Sequence, residues 1–238
     1  MALPKINETL NFSMKVPSTG KTVKYRPYLV KEEKVLLQAF ESGDVKTCLE
    51  AMVDTLDACI DPRDDIKVAD LATFDIEYMF TKVRSKSVGE TSTIVIKCKE
   101  CEEQNPYNID LEELTVEVSE EGKVIDINED IKVEMKYPTY RGFIDQDLGD
   151  IEKENSETMF KVLASSVSAI LTNEERIDAS QEKPEDIVEF LESMTASQLK
   201  SVTEFLEVLP SMSHLAKFDC TKCGTENELE LKGLADFF

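Results

Sequence analysis

Near the start of the chain, Phe12, Met14 and Val16 alternate with polar residues. PSTGK then offers a turn, and Val23, Tyr25 and Pro27 resume the alternation. That period of two predicts a β-hairpin. The period then lengthens. KEEKVLLQAFES stops at Gly43, and DVKTCLEAMVDTLDACI starts from Asp44 as N-cap with Val45, Leu49, Met52, Val53, Leu56 and Ile60 on one stripe, so two helices are expected. After the charged loop DPRDDIKVAD, the residues Leu71, Phe74, Tyr78, Met79 and Val83 predict a third, amphipathic helix ending near Gly89. Its basic end, Lys82, Arg84 and Lys86, is expected to be a solvated terminus that suits the helix dipole, with a partner contact as the alternative.

Beyond Gly89 the segments are short and alternating: TSTIVIKC, NPYNIDL, LTVEV, KVIDI and IKVEMKYP. They predict a β region over about residues 91–138. Helical spacing returns in SETMFKVLASSVSAIL, where Phe160, Leu163, Val167, Ile170 and Leu171 share a face, and continues in KPEDIVEFLESM and in TASQLKSVTEFLEVL with Thr195 as N-cap. HLAKFDC and ENELELKG then read as strands on either side of a turn. The expected fold is α+β, with helical-bundle elements, a β region and a hairpin pair formed by distant segments. Four parts are expected: 1–89, a hairpin with helices; 90–138, the β region; 139–210, helical; and 211–238, a final hairpin packed with 90–138.

Two of these strand pairs echo each other. IVIKCKECEEQNPYNIDL and LAKFDCTKCGTENELEL share the order strand, Cys-x-x-Cys, polar turn, strand. That spacing lets two thiolates converge on one ion while turn amides face the sulfurs, and a tetrahedral zinc takes four such ligands. Cys98, Cys101, Cys220 and Cys223 are therefore the candidate ligands of a structural Zn2+ in a four-cysteine, zinc-ribbon-like site. The 118 residues between Cys101 and Cys220 would make most of the second half an insertion, whereas a compact ribbon has about 15–20. A redox dithiol and free thiols are the alternatives, the first disfavoured because neither motif opens a helix. Four thiolates would saturate the ion and leave no place for an activated water. His214, the only histidine, is expected to be an ordinary side chain of its strand. Cys48 and Cys59 lie about 16 Å apart along one helix and are expected to be buried thiols.

Composition narrows the function. Of 238 residues 41% are hydrophobic and 32% charged, which describes a folded, heavily solvated protein. No apolar run approaches the ~18 residues of a membrane span. MALPKINETLNFSMKV lacks the apolar core of a secretory signal, so a cytoplasmic protein is expected. The net charge is -22, and it is uneven: Met1 to Lys86 holds 13 basic residues against 14 acids, and the remainder 14 against 35. Such a surface repels phosphate backbones, so neither nucleic acid nor membrane is an expected partner. Acidity confers solubility; a near-neutral N-terminal third, rimmed by Lys31 and Lys34, is also free to dock. With one histidine, eight glycines and no phosphate-binding loop, no reaction centre is recognisable. Any two of 49 acids could be nominated as an acid/base pair, so none is.

PSTGKTVKYRPYLVKEEKVLLQAFES, TFDIEYMFTKVRSKSVGE, MKYPT and CTKCGTENELELKGLADFF, taken in that order, resemble the baseplate hub subunits and hub assembly proteins of T4-like contractile-tailed bacteriophages. The resemblance runs nearly the length of the chain and rests on the order of segments more than on any one motif. It implies a non-catalytic structural or assembly role in the hub, with other hub or tail proteins as partners, a homo-oligomer being allowed. The expected locations are the host cytoplasm during assembly and the tail baseplate of the virion. It brings no catalytic residues, and only the four cysteines are carried over as metal candidates. A zinc-ribbon adaptor that binds a host protein through the acidic surface is the alternative.

Overall fold

The computed structural model describes residues 12–119, 123–145 and 156–237. Expectations that concern residues 1–11 and Phe238 lie outside them. The fold is α+β, with seven α-helices and several small antiparallel sheets among the described residues. Two compact units form: Met1–Glu117 with Ser211–Phe238, and Val118–Pro210.

The first unit begins with the hairpin β1 (Phe12–Lys15) and β2 (Thr22–Tyr25), paired in the register Phe12↔Tyr25 to Lys15↔Thr22. Met14, Val16, Val23 and Tyr25 are buried, as the alternation requires. Helices α1 (Val30–Ser42), α2 (Val45–Cys59) and α3 (Thr73–Ser87) follow. Gly43 ends α1 at φ 69°, a conformation that costs glycine nothing, and the Asp44 carboxylate accepts Thr47 N–H to start α2.

Helix α3 is more than amphipathic. Phe74, Ile76, Met79, Phe80 and Val83 are buried, and so are Asp75, Thr81, Lys82 and Ser85. Each buried polar group has a partner, as burial demands. Asp75 accepts from Ser18 N (2.8 Å), Ser18 Oγ (2.5 Å) and Ala72 N (3.3 Å), which pins the first hairpin's turn to the start of α3; burial pushes its carboxyl up nonetheless. Lys82 corrects the expected solvated basic end. Its Nζ lies 5.3 Å from the centre of the Tyr78 ring and donates to Leu111 O (3.0 Å) and Glu112 O (2.6 Å). Burial draws its pKa down, against the pull of Glu112 and Asp110. Lys86 meets Glu90 at 2.5 Å and Glu112 at 3.4 Å. Two cations of this cluster are therefore used within the unit, because helical spacing carries position 82 onto the face of Tyr78 and Met79.

Two further hairpins complete the unit. β3 (Thr91–Lys97) pairs with β4 (Gln104–Asp110), and the three-stranded sheet β11-β10-β5 joins β5 (Thr115–Val116), β10 (Met212–Asp219) and β11 (Glu226–Lys232). Ile96, Ile109, Leu111, Leu114, Met212, Ala216 and Leu231 pack together around Phe237, which has 0% exposure. Phe237 lies beyond the last strand. A short helical turn at Leu234–Phe237 folds it inward, and Ser92 Oγ donates to its carbonyl at 2.6 Å.

The second unit holds β6 (Val124–Asp126), β7 (Ile131–Met135), β8 (Val167–Thr172) and β9 (Arg176–Asp178) in one antiparallel sheet of that order. Helices α4 (Tyr140–Asp145), α5 (Ser156–Ser166), α6 (Pro184–Glu192) and α7 (Ala196–Glu207) accompany it. Val133, Met135, Leu163, Val167, Ile187, Leu191, Val202 and Phe205 form its core. The helix expected to run through Leu171 stops at Ser166. From Val167 the chain pairs with β7, with Lys136 N donating to Ser166 O at 2.7 Å. A run of apolar residues at 163, 167, 170 and 171 fits both periods, and tertiary pairing decides it. Thr195 caps α7 as expected, in a reciprocal box with Gln198.

Candidate metal centre

The two Cys-x-x-Cys motifs occupy corresponding hairpin turns. In the β3–β4 turn, Cys98 N donates to Glu103 O and Glu102 N to Cys98 O; in the β10–β11 turn, Cys220 N donates to Thr225 O and Gly224 N to Cys220 O, all at 2.9–3.0 Å. The position four residues after the first cysteine needs a left-handed backbone in both turns: Gly224 at φ 71° and Glu102 at φ 56°. Glutamate is strained there and glycine is not. Glu102→Gly is therefore expected to stabilise the protein by about 0.5–1 kcal/mol, and Gly224→Ala to destabilise it by a similar amount, read as opposite shifts of the urea midpoint.

The turns face each other, and the four Sγ atoms lie within 4.8 Å of one another. Cys98 and Cys223 are 3.7 Å apart, Cys101 and Cys220 3.6 Å, and Cys101 and Cys223 3.5 Å. Four sulfurs held ~2.3 Å from a tetrahedral ion are ~3.8 Å apart, so the spacing fits a zinc thiolate site. All six cysteines are free thiols.

The surroundings favour thiolate. Glu100 N and Lys222 N point at Cys98 Sγ and Cys220 Sγ at 3.5 Å each. The amides of Cys223 and Lys222 bring the Cys220 thiol down to about 6, and the Glu100 amide lowers Cys98. At Cys101 the Glu103 amide is the largest single influence and lowers the thiol, but hydrogen bonding with Cys223, burial and hydrogen bonding with Cys220 and Cys98 together outweigh it and raise the group to about 12. Four sulfurs this close cannot all carry charge unless a cation sits among them.

Two asparagines lock the halves together. Asn105 and Asn227 each lie seven residues after the first cysteine of their own motif, and both are buried, at 2% and 4% exposure. Each reaches across to the other turn. Asn105 Oδ1 accepts from Thr221 N at 2.9 Å, and its Nδ2 faces Cys220 Sγ at 3.8 Å. Asn227 Oδ1 accepts from Lys99 N at 2.9 Å, and its Nδ2 faces Cys98 Sγ at 3.5 Å. Such partners orient ligands and spread their charge. The repeated C-x-x-C-x-x-x-N carries this signal in the sequence. At the rim, Lys222 meets Glu103 at 2.9 Å, an exposed pair worth little.

The remaining candidates lie elsewhere. His214 Nε2 is 3.1 Å from Tyr107 Oη, and the two rings pack 5.9 Å apart. Cys59 is buried, which pushes its thiol up to about 11, while Cys48 Sγ lies 3.3 Å from Ala39 O in the α1–α2 packing. Neither Cys-x-x-Cys opens a helix; both lie between paired strands.

Fold and site together define a mixed α+β protein with two hairpins joined through a four-thiol cluster. The chain belongs to the T4 bacteriophage base plate protein family, whose model matches residues 8–238. No curated protein and no solved structure matches it. No helix among the described residues is long and apolar enough to cross a membrane.

Proposed function

We propose that this base plate protein is a non-enzymatic structural or assembly component of the tail baseplate hub. It acts through protein–protein contacts, and one structural Zn2+ held by Cys98, Cys101, Cys220 and Cys223 stabilises it. The match of the base plate family over residues 8–238 carries the reading. The thiol spacing, the turn amides and the two crossing asparagines support the metal. The ion's part is to tie two hairpins that are distant in sequence, since four thiolates complete its coordination. The partners are other hub or tail proteins, met in the host cytoplasm during assembly, and the product is the tail baseplate. The net charge of -22 argues against nucleic acid as a partner.

Two measurements test this. Elemental analysis of protein purified without chelator should give about one zinc per chain; a content well below that overturns the metal. The purified chain should co-migrate with hub components on a sizing column at physiological salt, and its elution alone overturns the hub role. Binding to a host protein that collapses steeply with salt and competes with DNA would instead mark the adaptor alternative.

A further inference from the structure

We propose that the outer edge of β3 is a strand-addition site for a partner protein's extended segment that alternates apolar and basic residues. In the antiparallel pair β3–β4, the bonds Cys98 N to Glu103 O and Leu111 N to Glu90 O fix the hydrogen-bond phase. Ser92, Ile94 and Ile96 therefore spend their backbone groups on β4, while those of Thr93, Val95 and Lys97 point away from it. Among the described residues no other strand pairs with β3.

The three outer edges of these hairpins are not alike. On β4, Pro106 stands opposite Val95, at a position whose N–H would point outward, so that edge lacks a donor where a new strand would need one. On β11, the outward backbone positions carry Glu226, Glu228 and Glu230, and Asp236 Oδ2 already accepts Lys232 N–H at 2.7 Å. Charges of this kind discourage pairing. On β3 the outward positions Thr93 and Val95 carry no such guard, and the one charge, Lys97, stands at the strand's end. In a chain with 32% charged residues, Thr91–Ile96 has none, five of its six residues are β-branched (Thr91, Thr93, Ile94, Val95 and Ile96), and Val95 is 61% exposed.

A cleft of about 600 Å³ lies along this edge, lined by Thr93–Lys97, Leu229, Leu231 and Asp236. The five β3 residues span about 16 Å, the length of a short added strand. One face of that strand would meet Ile94, Ile96, Leu229 and Leu231, and Asp236 supplies the acid of the lining in a chain of net charge -22. Alternation of apolar and basic side chains satisfies both, with backbone bonds supplying affinity. A second copy of the chain fits less well, because each copy carries -22 and two such chains repel.

The inference deepens the assembly reading by naming a docking surface. Because binding is measured on the isolated chain, its failure leaves the co-migration test standing. The probe is a capped seven-residue peptide alternating lysine and valine, titrated into the full-length, zinc-containing protein with residue-resolved amide exchange as the readout. Exchange at Thr93, Val95 and Lys97 should slow at least about tenfold, with no change at Ser92, Ile94 and Ile96, which are already paired. Val95→Pro removes only an outward N–H, so the fold should persist while affinity falls about tenfold. Thr93→Lys, which sets a like charge beside the peptide, should weaken binding whether or not Val95→Pro folds. Three results overturn the proposal: unchanged exchange at these amides despite binding, equal affinity for both variants or for a peptide with the same residues in blocks, or protection that grows with protein concentration without peptide. The last would assign the edge to self-pairing.

Discussion

Cys220→Ser is expected to abolish binding of the proposed zinc and to lower stability by about 3–5 kcal/mol, unfolding the hairpin pair first. Cys220 is buried and faces Cys101 at 3.6 Å, and its hydrogen-bonded turn is held by Asn105 across the gap. A serine hydroxyl is a poor zinc ligand, and three thiols do not complete a tetrahedral structural site. The 118 residues between Cys101 and Cys220 enlarge the effect. Cross-linking a loop of that size restricts the unfolded chain by an amount worth about 4–5 kcal/mol in the loop-closure account used for disulfides. Chelation of the wild-type protein should reproduce the variant's denaturant midpoint, because both remove the same staple. Cys48→Ser is the matched control: it alters a thiol outside the cluster and should shift the midpoint by less than about 1 kcal/mol. If Cys220→Ser retains one zinc per chain and melts with the wild type, the cluster is not a staple.

The reciprocal contacts explain why the centre was half legible in the sequence. Doubled Cys-x-x-Cys motifs, each between alternating segments, were enough to bring four thiols together across the chain. The asparagines were equally regular, but an asparagine just after a turn is common, and only the fold shows that each serves the opposite motif. Lys82 teaches the converse. A basic residue near a helix C-terminus reads as solvated, yet its Nζ finds two carbonyls after β4, and a partner 29 residues away leaves no local pattern. The α5–β8 boundary was illegible for another reason. Val167, Ile170 and Leu171 suit a helix face and a buried strand alike, and the pairing of Val133 with Ile170 resolves a tie that spacing leaves open. Where period and turn residues agreed, as in β1–β2, β3–β4 and the capped starts of α2 and α7, elements fell within a residue or two of expectation.

The second large effect is expected from the other end of the same hairpin pair. Phe237→Ala should cost about 3–5 kcal/mol, since a fully buried ring is replaced by a methyl group in a site the surrounding strands cannot collapse to fill. The ring packs with Ile96, Ile109, Met212 and Leu231, so it joins both hairpins as the thiol cluster does, and the Ser92 Oγ bond fixes the backbone that carries it. Phe237→Leu keeps most of the volume and should cost less than about 1.5 kcal/mol, which separates loss of packing from loss of the aromatic ring. A double variant, Phe237→Ala with Cys220→Ser, distinguishes one cooperative structure from two independent fastenings. If the hairpins fold as a unit, the combined loss will fall short of the sum, because the first change already releases much of what the second would. Strict additivity in the denaturant midpoints would show instead that the thiol cluster and the apolar plug each hold their own end.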